Sequence, residues 1–200
     1  MNENVSKLIT AADVGDMATV QQLIGSGVDV NGTVEEGLNA LMAAAGSGQP
    51  RVLEALLAGG ADLNAADSHG MTALMMAATR GRVEAIKLLL GAGAKINLKA
   101  LIFPFEGQTA LAFAAKNGSV EVVKMLLSGG ADISARDADN ETPLMKAAFW
   151  GNEEVVKQLL EGNADAALKN SEGKTALMIA EEIGQAKIAT LLRHASSPQP

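Results

Sequence analysis

Apolar residues recur along this chain in short bursts that end at glycine. Leu74, Met75, Met76, Ala77 and Ala78 form one burst, closed by Gly81. A second follows with Val83, Ile86, Leu89 and Leu90 at helical spacing, closed by Gly91-Ala92. A polar stretch such as "ADLNAADSHG" then leads to the next burst, and its Asp, Asn and Gly favour a tight turn. The pattern predicts helix, turn, helix, loop. Thr72, Thr109, Thr142 and Thr175 stand just before an Ala/Leu/Met run, where a hydroxyl caps a helix N-terminus. The pairs Ala77-Ala78, Ala114-Ala115 and Ala147-Ala148 are small enough to let neighbouring helices approach.

The same unit returns along the whole chain. "GLNALMAAAGSGQPRVLEALLAGGAD" starts at Gly37, "GMTALMMAATRGRVEAIKLLLGAGA" at Gly70 and "GQTALAFAAKNGSVEVVKMLLSGGAD" at Gly107. "NETPLMKAAFWGNEEVVKQLLEGNAD" starts at Asn140, and a truncated "GKTALMIAEEIGQAKIATLLRHA" at Gly173. A weaker copy, "SKLITAADVGDMATVQQLIGSGVD", precedes them without the opening turn. One glycine anchors each copy: Gly15, Gly48, Gly81, Gly118, Gly151 and Gly184, spaced 33, 33, 37, 33 and 33. It ends the first helix, where a left-handed residue is needed. No unit of this size buries its own apolar face, so the copies must stack into one elongated solenoid. The expected units are 4–36, 37–69, 70–106, 107–139, 140–172 and 173–194, with 195–200 a frayed tail. Glu181, Glu182, Gln185, Lys187 and Arg193 make the last copy a polar cap.

The Thr-x-Leu opening, the Ala-Ala pair, the anchor glycine, the Leu-Leu-x-x-Gly run and the closing Ala-Asp resemble the ankyrin repeat over about residues 5–194. The resemblance implies an all-α solenoid of stacked helix–turn–helix units with projecting hairpin-like loops. It also implies a non-enzymatic protein-binding scaffold, without naming a partner. The family's opening motif ends in His, where this chain has Met42, Met75, Ala112, Met145 and Met178. The polar ties such a His would make are absent, and thioether packing can replace them. Two readings of these methionines stand side by side: gap-fillers of the core, or a Met-lined binding surface. Asn140 replaces the opening glycine of one copy, which is tolerable because Asn visits the left-handed region.

Composition narrows the function. Aromatics make up only 2% of residues, so the core must come from Ala, Leu, Val, Ile and Met. The formal net charge is −7 and the pI about 4.9, which argues against nucleic acid and anionic membranes as partners. With no Cys and only His69 and His194, thiolate chemistry is excluded and a His-based metal cage is not expected. No apolar run reaches bilayer length and no leader pattern opens the chain. A cytoplasmic location is the default, with the periplasm or secretion open if Met1 stands in place of a removed leader.

Three features stand out against the repeat. The 37-residue spacing marks an insertion, "AKINLKALIFPFEGQTAL", where Leu101, Ile102, Phe103, Pro104 and Phe105 replace small polar turn residues. Such a loop either protrudes as an apolar finger into a partner's groove or folds back to seal its own seam. Phe149 and Trp150 precede the anchor Gly151, where other copies have pairs such as Asp13-Val14 and Thr79-Arg80. By the resemblance these positions face the concave side. Trp150 and Phe149 are either interface residues or local packing, and Arg80 and Lys116 fall on the same row. At the turn tips, Glu35, Glu36, Glu106, Asp139, Glu141 and Glu172 face a single Lys174. This acidity either steers a basic partner or keeps the surface solvated. Asp67-Ser68-His69 matches a hydrolase triad only in composition, since neighbours on a turn do not hold that geometry.

The expectation is therefore a protein-binding module with no catalytic, cofactor or metal site, monomeric when unbound. Its surface would comprise repeats three to five. The first reading is an inhibitor, regulator or immunity-type partner of an enzyme with a cleft and basic rim. The alternative is an adaptor tethering two proteins, which requires a second anchor patch in repeats one or two. There the sequence offers only Leu38, Met71 and the Glu35-Glu36 pair.

Overall fold

A computed structural model describes residues 3–101 and 106–196. Its helices come in six pairs: α1 (Glu3–Val14) with α2 (Met17–Gly25), α3 (Ala40–Ser47) with α4 (Pro50–Ala58), and α5 (Ala73–Thr79) with α6 (Val83–Gly91). The series continues with α7 (Ala110–Asn117) and α8 (Val120–Ser128), α9 (Pro143–Phe149) and α10 (Glu153–Glu161), and α11 (Ala176–Glu182) and α12 (Ala186–Ser196). The odd-numbered helices pack on one another in sequence as an inner row, and the even-numbered ones form an outer row behind them. No named strand forms among the described residues; the only bridge there joins Ala66 to Thr72. The last helix runs to Ser196, into the stretch expected to fray.

Local chemistry places these ends. The hydroxyls of Thr72, Thr142 and Thr175 each accept the backbone N–H of the residue three positions on, at 3.3 Å, and Thr109 does so at 3.4 Å. Asn39 takes the same role for α3 through its Oδ1, at 2.9 Å from Met42 N. Asn140 sits at φ 58°, as its place in the turn requires. The paired alanines from Ala77 to Ala148 are completely buried, so the inner helices approach closely. Phe113 is the bulkiest fully enclosed side chain, at 2% exposure. Met42, Met75 and Met145 are core residues, exposed 1% or less. Met178, at the equivalent position, is 48% exposed because no further inner helix follows α11 to cover it.

The residue after three of the anchor glycines has a role that the repeat pattern hides. Asn152 Nδ2 reaches back one unit to donate to the carbonyls of Ala115 and Lys116, at 2.7 and 2.9 Å. Arg82 Nε does the same to Gly46 O at 3.1 Å, and Gln49 Nε2 to Asp13 O at 3.3 Å. These donors satisfy carbonyls that a helix C-terminus leaves open. They also require the glycine: a Cβ on Gly118, at φ 79°, would stand 2.7 Å from Asn152 Oδ1. Asn152→Ala is expected to lower stability by about 1–3 kcal/mol, measured by urea denaturation, since two hydrogen bonds go at once. A loss within error would mean that water replaces the carboxamide.

The hairpin tips are joined by a ladder of backbone bonds. Ser68 N–H donates to Glu36 O (2.7 Å), Leu101 to His69 (2.8 Å), Ala138 to Glu106 (3.0 Å) and Ser171 to Asp139 (2.9 Å). Glu36, His69, Glu106, Asp139 and Glu172 therefore form one row, four carboxylates interrupted by one imidazole. At the C-terminal end Arg193 pairs with Glu181, and Lys174 bridges Glu172 and Glu182, so the last unit is a charged cap. None of the described helices is long and apolar enough to cross a membrane.

Candidate protein-binding surface

The residue immediately before five of the six anchor glycines is exposed: Val14, Arg80, Asn117, Trp150 and Ile183, with Ser47 half-buried. Trp150 closes α9, its N–H donating to Lys146 O at 3.0 Å, and its indole is 52% exposed. Phe149 is 49% exposed, and the two rings meet edge to face with centroids 5.6 Å apart and planes at 68°. Lys116, in the last turn of α7, holds its Nζ 4.9 Å from the Trp150 ring centroid. A small recess of about 170 Å³ opens between them, lined by Thr79, Phe113, Lys116, Asn117 and Trp150. The result is an exposed aromatic step with a cation over one face. Its rings are not used to fill the core.

Arg80 does not join this patch. It occupies the position of Trp150 in its own unit, whereas Lys116 occupies that of Phe149, one residue earlier. Arg80 leans instead on the second unit, where its Nη1 lies 3.3 Å from where a Cβ on Gly46 would be. The two cations therefore serve different surfaces.

Among the acidic candidates, Glu106 and Asp139 are exposed on the row of tips. Glu141 is not free in the same way, because its carboxylate is bonded to Lys146, which also meets Asp137 Oδ2 at 2.6 Å. Asp137 is enclosed, with its side chain 4% exposed, and its Oδ1 accepts the N–H groups of Asp139 and Glu141. Burial alone would push the Lys146 ammonium down, but its hydrogen bonds to Asp137 and Glu141 outweigh it and hold the group above its ordinary 10.5. A raised lysine adds stability that is fully present below 10.5 and is lost as pH climbs through the folded value. Denaturation midpoints taken below and above the ordinary lysine value should therefore fall more in the wild type than in Lys146→Met. Equal falls would show that the triad carries no pH-linked stability.

Leu101 stands at the base of the insertion, 68% exposed, seated against Gly70. The base is closed by Ala100 N–H to Gln108 O at 2.9 Å and Gly107 N–H to Ala100 O at 2.8 Å. Ile102, Phe103, Pro104 and Phe105 lie outside the described residues. In the Asp67-Ser68-His69 turn, Asp67 Oδ1 accepts the backbone N–H groups of His69 and Met71, and Ser68 Oγ lies 3.4 Å from His69 Nδ1. The carboxylate thus holds the turn and not the imidazole.

A further concavity lies elsewhere, over α1, α3 and α5. It measures about 570 Å³. Ile9, Met42, Ala43 and Met76 form its floor, and Leu38, Met71, Glu36 and Asp67 its hairpin end, with Asp13 and Arg80 opposite. Leu38, Met71 and Glu36 were legible as a weak patch in the sequence. The depth was not, because small residues create it: α3 carries Ala43 and Gly46 where α5 carries Met76 and Thr79, and α7 Phe113 and Lys116.

A family model described as ankyrin repeats (3 copies) matches residues 8–100 and 111–199. No curated protein matches the chain.

Proposed function

The chain belongs to the ankyrin-repeat family and is a protein–protein interaction module, and from that premise we propose that it regulates an enzyme by occluding it. The observation that carries this reading is the half-exposed Phe149–Trp150 step with Lys116 over the indole. An aromatic pair held on a rigid inner helix contributes large contact area with little ordering entropy left to lose. The acidic tip row, at the other end of the inner helices, suits a partner whose cleft has a basic rim, and would speed encounter more than it tightens the complex.

The test begins with quantitative capture from an extract of the source organism on wild type, on Phe149→Ala/Trp150→Ala, and on Phe103→Ala/Phe105→Ala. Circular dichroism checks the fold of each bait. One enzyme should be retained by the wild type and lost from the Phe149/Trp150 variant. Its turnover, assayed with a stoichiometric excess of this chain, should change. Equal retention on all baits would remove these aromatics from the interface. Retention without any change in turnover would leave the second reading, an adaptor, which the groove over repeats one to three favours by offering a separate anchor.

A further inference from the structure

We infer that the groove over α1, α3 and α5 is a second docking site, for a partner segment that presents one large apolar side chain about two to three residues from a lysine or arginine. It rests on the groove alone and stands apart from the Trp150 surface.

The floor is apolar: Met76 lines it half-buried, and Met42 lies enclosed beneath it. The unbranched thioether of Met76 adapts to whichever aliphatic or aromatic group enters, so the floor selects for bulk and not for shape. About 570 Å³ is room for one large side chain and the backbone around it. Selectivity must then come from the rim. There three carboxylates, Asp13, Glu36 and Asp67, face one guanidinium, Arg80.

The rim charges are not neutralised at home. None of these four side chains takes part in an ion pair among the described residues. Asp13 accepts from the Ser47 hydroxyl and Asp67 from two backbone N–H groups, which fix the carboxylates without cancelling them. Glu36 and Asp67 share the hairpin end. Ser68 N–H donates to Glu36 O at 2.7 Å, which holds the two turns side by side. A cation arriving at that end meets two carboxylates beside an apolar wall, where the effective dielectric is lower than in water. An acidic segment would meet the same pair as repulsion, which disfavours the wrong partner. The inner helix α3 is ~12 Å long, so the apolar floor lies about two to three extended residues from the hairpin end. The cation and the apolar side chain of the occupant should be separated by that interval.

A random peptide library displayed on phage is selected on the immobilised full chain. Enriched clones are then rebound to wild type, Glu36→Gln/Asp67→Asn, Met76→Glu and Trp150→Ala. Asparagine at 67 keeps the carbonyl that holds the turn, so the double variant removes charge without removing the fold. Enriched clones should pair an apolar residue with Lys or Arg. Their binding should fall by about tenfold or more on both groove variants and stay unchanged on Trp150→Ala. Clones without a basic residue, clones that bind the charge variant as well as wild type, clones lost only on Trp150→Ala, or no enrichment at all would each overturn the proposal. Loss on Trp150→Ala alone would leave the aromatic step standing, so the two surfaces fail separately.

Discussion

Phe113→Ala is expected to lower stability by about 3–5 kcal/mol and to split one unfolding transition into two. The first part follows from burial: the ring is 2% exposed and enclosed by the inner row. The second follows from topology. In a stack each unit touches only its neighbours, so stability is a sum of units and of the interfaces between them. Phe113 belongs to α7, which packs on α5 before it and α9 after it. Emptying its site weakens the junctions that tie the N-terminal units to the C-terminal ones. Trp150, the only tryptophan, lies in the fifth unit and reports on the C-terminal side alone. In the wild type, its fluorescence and the far-ultraviolet circular dichroism should trace one urea transition. In Phe113→Ala the two curves should separate, because helices on either side no longer unfold together. Coincident curves with a loss below about 1 kcal/mol would mean that the neighbouring alanines and leucines collapse into the space.

What the sequence made legible follows the range over which each signal acts. The threonine caps, the alanine pairs and the left-handed glycines are short-range devices, and units three to five carry them in the same order, as Thr72, Ala77-Ala78 and Gly81 do in the third. The back-reaching donors were hidden because different residue types fill one role. Gln49, Arg82 and Asn152 share a position and a kind of acceptor, not a letter. The role expected of Glu141 changed because Lys146 replaces an apolar residue on α9 and captures it, which depends on a neighbour five positions away. Arg80 and Lys116 share a row in the sequence but not a neighbour, since Arg80 leans on Gly46 of the second unit and Lys116 on Trp150 of the fifth. The groove was least legible of all. Ala43 and Gly46 read as ordinary small residues, and only the larger side chains of α5 and α7 beside them make the depression.

Trp150→Ala is expected to weaken the complex with the captured partner by about 2–4 kcal/mol, roughly 30- to 1000-fold in Kd, while leaving stability within about 0.5 kcal/mol. The two effects separate because the indole is 52% exposed in the free chain and so contributes little to its core. Lys116→Met should have a smaller effect. The ammonium lies 4.9 Å from the ring centroid, and such a contact at an exposed site is worth about 0.5–1 kcal/mol. The double variant should lose less than the sum, since Lys116 acts partly through the ring it covers. Isothermal titration of the four proteins against the same partner closes that cycle. Additive losses would make Lys116 an independent contact with the partner. A fall in stability that matched the fall in affinity would make Trp150 a structural residue, and would place the interface on the groove or the tips instead.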